Sequence, residues 1–264
     1  MLDKVGLEYA IVYEDRVTTN VVNAGKAISV TSAAKTDLSY LQTNCFSDAN
    51  YIKINGKPLL LNFGPIVLQT PAEWTNVFNT LTTKPTFLTL WDQSVEASEN
   101  ASGEYAWVYK NSTYLTNFYT NTKPKLSVAM GSAYPGFKDF YAEGGGGAAI
   151  GWTIEHNNGA TLDETLSLAK NANLSYLQLI TWNDFGEGTM FEPTVEFGYN
   201  YIEKVKTFAG VKNTESFFAD ISKLYNLRVE KKGNADAQKK LDQAFNYFVS
   251  MQPTKAKQSL SEIK

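Results

Sequence analysis

Short apolar runs that end in acids, amides or aromatics recur along this chain, with helical stretches between them. Leu7 to Tyr13 (LEYAIVY) runs into Glu14-Asp15-Arg16, Pro58 to Phe63 (PLLLNF) into Gly64-Pro65, and Pro85 to Leu90 (PTFLTL) into Trp91-Asp92. Lys125 to Met130 (KLSVAM) leads to Ser132-Ala133-Tyr134, Ala148 to Ile154 (AAIGWTI) to Glu155-His156, and Tyr176 to Trp182 (YLQLITW) to Asn183-Asp184. That makes six strand candidates. Helices are predicted over 33–47, 71–81, 161–172 and 197–209, the second with Thr70 as N-cap and Pro71 at its first turn. Strands alternating with helices argue for a parallel sheet. Tyr51 to Ile54 reads as a short strand, residues 94–104 as a polar loop, and Tyr105 to Tyr109 as a short aromatic segment.

The densest chemistry lies in residues 176–194, YLQLITWNDFGEGTMFEPT. Its first half has the length and β-branched content of a strand buried on both faces. Its second half sets Trp182, Asn183 and Asp184 at the strand's end, Glu187 between Gly186 and Gly188, and Glu192 beyond. Functional groups clustered there match the C-terminal lip of a β/α sheet, where active sites lie. Two carboxyl groups three residues apart, Asp184 and Glu187, suit glycosidic cleavage, which needs one acid and one base or nucleophile. The plainer reading is that both acids cap a helix and solvate a loop.

The same strand-end position makes Tyr13, Glu14, Asn62, Trp91, Asp92, Tyr134, Trp152, His156, Trp182, Asn183 and Glu192 candidates for sugar binding. Each has a bland alternative. Glu14 could serve only as a salt-bridge partner of Arg16, the aromatics as core, His156 as an exposed loop residue, and Glu192 as a loop brace.

Charge is nearly balanced, with 24 basic and 27 acidic residues, so nucleic acid and anionic membrane surfaces are not expected partners. Cys45 is the one cysteine and His156 the one histidine, so neither a disulfide nor a Cys/His metal site is expected, and no cofactor is called for. No membrane span and no signal peptide are read from the sequence. The four-glycine run 144–147 lacks the Lys-Ser/Thr of a phosphate loop and is read as a flexible surface segment.

The stretch WNDFGEGTMFEPT resembles the signature of the glycoside hydrolase family 71 and 99 group, W/F-N-D/E-W/F/Y-x-E-G/S-T. YEDR at 13–16, NGKP with LLLNFGP at 55–65, and YPGF at 134–137 resemble further parts of that group in the same order. Family 99 holds endo-α-mannosidases and endo-α-mannanases and usually has Glu at the first acid and His before the second. Asp184 and Gly186 here are closer to the α-1,3-glucanases of family 71. The resemblance covers most of residues 5–206 and implies a (β/α)8 TIM-barrel fold, set at residues 1–212; from about Thr214 the pattern is purely helical and is read as a helical extension over 213–264. It implies a hydrolase acting on an α-linked oligo- or polysaccharide, with Asp184 as base and Glu187 as acid. It also implies a secreted, periplasmic or cell-surface location. Eight strands are expected of that family and six are read here. The expectation is therefore an incomplete barrel, an arc whose strands at 7–13 and 176–182 do not pair. The alternative function is a carbohydrate-binding protein with weak or lost turnover.

Overall fold

The computed structural model describes residues 2–211 and 217–263. Its strands are β1 (Ile11–Tyr13), β2 (Lys53–Ile54), β3 (Lys57–Asn62), β4 (Thr86–Leu90), β5 (Gly103–Tyr105), β6 (Val128–Ala133), β7 (Phe137–Lys138), β8 (Thr153–Ile154) and β9 (Tyr176–Leu179). Six of them form a parallel sheet in the order β1-β3-β4-β5-β6-β9, with β2 antiparallel on β3. β1 and β9 are its two ends and do not pair with each other. The sheet is thus a curled half-barrel flanked by helices, the incomplete barrel expected.

One strand of the six is not where the sequence suggests. The run 148–154 yields only β8, which pairs antiparallel with β7 outside the main sheet. Gly151, at φ +84°, breaks the extended run. The missing rung is β5, two of whose three residues fall in the stretch read as a polar loop. Glu104 hides it: this acid is only 3% exposed, and its carboxylate accepts N–H bonds from Asp92 (2.9 Å) and Ser94 (3.0 Å). Gly103 is required, since a Cβ there would collide with the Val128 carbonyl of β6. A second correction concerns β9, read as buried on both faces. As an end strand it leaves Tyr176 and Leu179 exposed.

The helix Pro71–Phe78 starts as its sequence predicts. The Thr70 hydroxyl accepts from Glu73 N (3.3 Å), and the Glu73 carboxylate accepts from Thr70 N (3.1 Å), a reciprocal cap. Its inner face, Trp74, Val77 and Phe78, packs with Phe87 of β4, Leu60 of β3 and Leu38 of the helix Val30–Asn44. The helix Ala160–Asn171 buries Leu162, Leu166 and Ala169, as its spacing predicts.

The chain divides into two compact units, Glu8–Lys204 and a second that takes in Met1–Leu7 with Val205–Lys264. In the second unit the helices Phe218–Glu230, Ala235–Val249 and Pro253–Ser261 share a core of Leu224, Leu241, Ala244, Phe248, Ala256 and Leu260.

Candidate active site

The turn after β9 is held by its own polar side chains. Thr181 Oγ1 accepts from Asp184 N, and Asp184 Oδ1 accepts from Glu187 N, both at 2.9 Å. Asp184 therefore braces a turn and does not cap a helix. The end of β7 and the segment after it dock on this turn: Lys138 N donates to Glu187 O (3.0 Å) and Phe140 N to Gly186 O (2.8 Å). Gly188 makes that approach possible. It has φ +62°, and a Cβ would stand 2.8 Å from the Lys138 carbonyl oxygen.

The Glu187 side chain turns into a cavity of about 520 Å³. Phe63, after β3, meets Trp107, after β5, edge-on at 5.2 Å between centroids. Phe137 of β7 stacks on Trp152 at 4.0 Å. All four rings line the cavity, together with Arg16, after β1. Residues following both ends of the arc thus line one space, although the end strands do not pair.

Glu187 is half-buried, and Tyr141 Oη donates to its Oε1 at 2.8 Å. Burial pushes the carboxyl above the usual glutamate range. The Tyr141 bond pulls against that shift, and the Asp184 and Asp139 charges add to it. Tyr141 is itself pushed up to about 12, by burial first and then by its bond to Glu187. A half-buried carboxyl that holds its proton to higher pH, in an aromatic cavity, is arranged to donate that proton.

The other sequence candidates scatter. Trp152 lines this cavity. Glu14 lies beside it, ion-paired with Arg16 at 2.7 Å. Trp182 and Asn183 stand exposed on the turn, and Glu192 N donates to Trp182 O (2.8 Å). Trp91 and Asp92 line a different cavity, with Tyr109 and Tyr114. Tyr13 is buried in the core and donates to Asp37 at 2.8 Å. Asn62 is fully buried; its Nδ2 faces Asp15 at 3.4 Å and its Oδ1 has no partner. Tyr134 is 1% exposed and its hydroxyl is likewise unpartnered. His156 is no exposed loop residue: its ring stacks on Phe197 at 4.6 Å and its Nδ1 meets Tyr201 Oη at 2.6 Å. Burial pushes its pKa down.

Tyr141, Phe63 and Trp107 were not singled out from sequence. Tyr141 sits in a segment with no periodicity, three residues before the glycine run. Phe63 and Trp107 follow strand ends, the same signal that marked Trp91. Among the described residues no cluster of His, Cys, Asp and Glu could hold a metal, and no helix is long and apolar enough to cross a membrane.

A parallel β/α arc with an acid-bearing cavity beyond the C-terminal ends of its strands is a fold of the incomplete (β/α)-barrel type. Two solved structures share this fold. One is the GH99 endo-α-mannosidase from Bacteroides thetaiotaomicron in complex with bis-tris-propane, with 18% identity, TM-score 0.51, and 69% of this chain matched to 68% of that one. The other is the GH99 endo-α-mannosidase from the same organism, with 19% identity, TM-score 0.53, and 70% of this chain matched to 64% of that one. The chain thus spans about two thirds of their length. No protein-family model matches the chain, and neither does any curated relative.

Proposed function

We propose that this chain is a glycoside hydrolase acting on an α-linked glycan of the mannan or glucan type, with Glu187 as proton donor and Asp184 as base. The observation that carries the reading is Glu187 itself. It is half-buried, raised in pKa, hydrogen-bonded by Tyr141, and set among aromatic rings whose faces suit a sugar's apolar side. In this reaction Glu187 protonates the glycosidic oxygen as the bond to the anomeric carbon breaks. Asp184 takes a proton from the attacking oxygen, and Glu187 ends as the carboxylate. The GH99 fold supports the substrate class.

The test is Glu187→Gln on a panel of α-mannans and α-glucans, read as reducing-sugar release. The amide keeps the shape but has no proton to give. Turnover should fall roughly 10²–10⁴-fold while sugar binding stays within a few-fold. Activity within a few-fold of the parent would remove Glu187 from the mechanism.

A second reading is a carbohydrate-binding protein without turnover. It is favoured by the position of β9 at an open sheet end, with Trp182 and Phe185 exposed. An open site leaves the acid pair in water, where its electrostatic effect is weaker. Binding of the panel with no release by the parent chain would select this reading.

A further inference from the structure

The Glu187 site leaves a cavity of about 530 Å³ unused, next to the ends of β4 and β5, and none of its lining residues lines the first cavity. We infer that this second cavity binds an uncharged, polyhydroxylated ligand, a short neutral glycan. The inference goes beyond the proposed reaction and needs no turnover at Glu187.

Four aromatic side chains line it, Trp91, Tyr109, Tyr114 and Phe118, with the two tyrosines edge-to-face at 4.6 Å. Rings supply flat apolar surface that a sugar's C–H face can cover. The polar lining is amide-rich. Asn117 and Asn121 make no side-chain hydrogen bond within the described residues, and the Gln93 Oε1 atom is buried without a partner. Amides offer both donors and acceptors, as hydroxyl groups require. The volume lies within the range of about 300–1,000 Å³ usual for small-molecule sites.

Charge narrows the ligand further. Asp92 is the one charged residue in the lining, which disfavours an anion. An aromatic cluster beside an acid would ordinarily suggest a cation. Here Lys110 Nζ already sits 5.0 Å from the Tyr109 ring centroid, so a second cation would meet repulsion. A neutral ligand with many hydroxyls satisfies both constraints. The cavity also adjoins the first: Tyr109 packs edge-on against Trp152, a wall of the Glu187 cavity, at 5.6 Å.

The chain's five tryptophans permit a direct test. The full chain carrying Glu187→Gln is labelled with 5-fluorotryptophan, and each ¹⁹F resonance is assigned by a Trp→Phe variant. Trp91 reports the second cavity, Trp107 the first, and buried Trp74 the integrity of the fold. The probes are α-mannotetraose and maltotetraose, with tetramethylammonium and inorganic phosphate as controls. A tetrasaccharide should move the Trp91 resonance saturably, and the controls should not. Asn117→Ala with Asn121→Ala should weaken that response about tenfold and leave the Trp107 response unchanged. If the Trp74 resonance shows that this variant is misfolded, Tyr114→Ala replaces it with the same expectation.

A silent Trp91 beside a responding Trp107 overturns the second site and leaves the Glu187 reading standing. A responding Trp91 beside a silent Trp107 supports the second site and counts against the Glu187 cavity. A Trp91 response to tetramethylammonium or phosphate in place of sugar overturns the ligand class. An unaltered Trp91 affinity in the folded variant overturns the assignment of the amides.

Discussion

Replacing Asp15 by Ala should destabilise the Glu8–Lys204 unit more than any substitution at the rim of the cavity. Asp15 is fully buried, two residues after β1. Its Oδ2 accepts three consecutive backbone N–H groups, from Ile66 (3.0 Å), Val67 (2.6 Å) and Leu68 (2.8 Å). Its Oδ1 accepts from Ile66 N (3.0 Å) and Asn62 Nδ2 (3.4 Å). The carboxylate thereby pins the loop that follows Phe63. Gly64 fits beneath it because a Cβ there would stand 2.6 Å from Asp15 Oδ1. Alanine strands these donors. A buried donor left unsatisfied costs about 1–3 kcal/mol, and water can reach those of Ile66 and Val67 in part, so about 3–5 kcal/mol is expected in total. Asn, which keeps one acceptor oxygen, should lose about 1–2 kcal/mol. All five tryptophans lie between residues 74 and 182, so tryptophan fluorescence in a urea titration follows this unit alone. At an m-value of about 2 kcal/mol/M the Ala midpoint should drop by roughly 1.5–2.5 M. A midpoint within about 0.3 M of the parent would refute the bracing role.

Three further outcomes follow from the ionisable groups. Tyr141→Phe removes the bond that lowers the Glu187 pKa, so that pKa rises further; the alkaline limb of kcat/KM for reducing-sugar release should move to higher pH, and an unmoved limb would separate Tyr141 from the reaction. Glu187 is raised by burial, so its contribution favours the fold while protonated and declines as pH climbs from the ordinary glutamate range through the raised value; Glu187→Gln should lift Tm at pH 8 by on the order of 2 °C and not at pH 4, as differential scanning fluorimetry would show. His156 is lowered by burial, so its contribution is present above the ordinary value near 6.5 and is lost as pH falls through the lowered one; His156→Phe should flatten the acid side of the stability profile, and an unchanged slope would assign that side to other groups.

Much of this architecture is legible where a single local signal decides it. The Thr70–Glu73 cap and the buried face of the helix Ala160–Asn171 need only spacing and residue type, and both are found. The runs at β3 and β4 are apolar because helices and inner side chains cover both faces. β5 escapes because its central residue is an acid whose burial depends on two backbone N–H groups twelve and ten residues upstream. No local pattern announces such a partner. AAIGWTI errs in the other direction, with strand composition but a glycine at positive φ that ends the extended run. At the site, Glu187 stands out through its glycines and its strand end, whereas Tyr141 owes its place to the docking of residues 138–140 on 186–187. Tyr13 and Tyr134 show the limit of strand-end reasoning: both point into packed core.

The half-barrel also shows why loops carry the site. β1 and β9 share no hydrogen bonds, yet Arg16 and Glu187, from the segments after them, line one cavity. Strand twist carries the ends of a parallel sheet around an arc, so segments leaving its C-terminal side converge even where the sheet is open. Each convergent segment is then fixed by its own polar bracing. Asp15 holds the loop after β3, Glu104 the turn after β4, and Asp184 the turn bearing Glu187. These three acids thus spend at least one carboxylate oxygen on backbone N–H groups. Glu187 differs from them. Among the described residues its carboxylate accepts from a side chain, Tyr141, and from no backbone N–H, and it faces the cavity. That difference in partner, more than its position in the motif, is the physical reason we propose Glu187 as the proton donor.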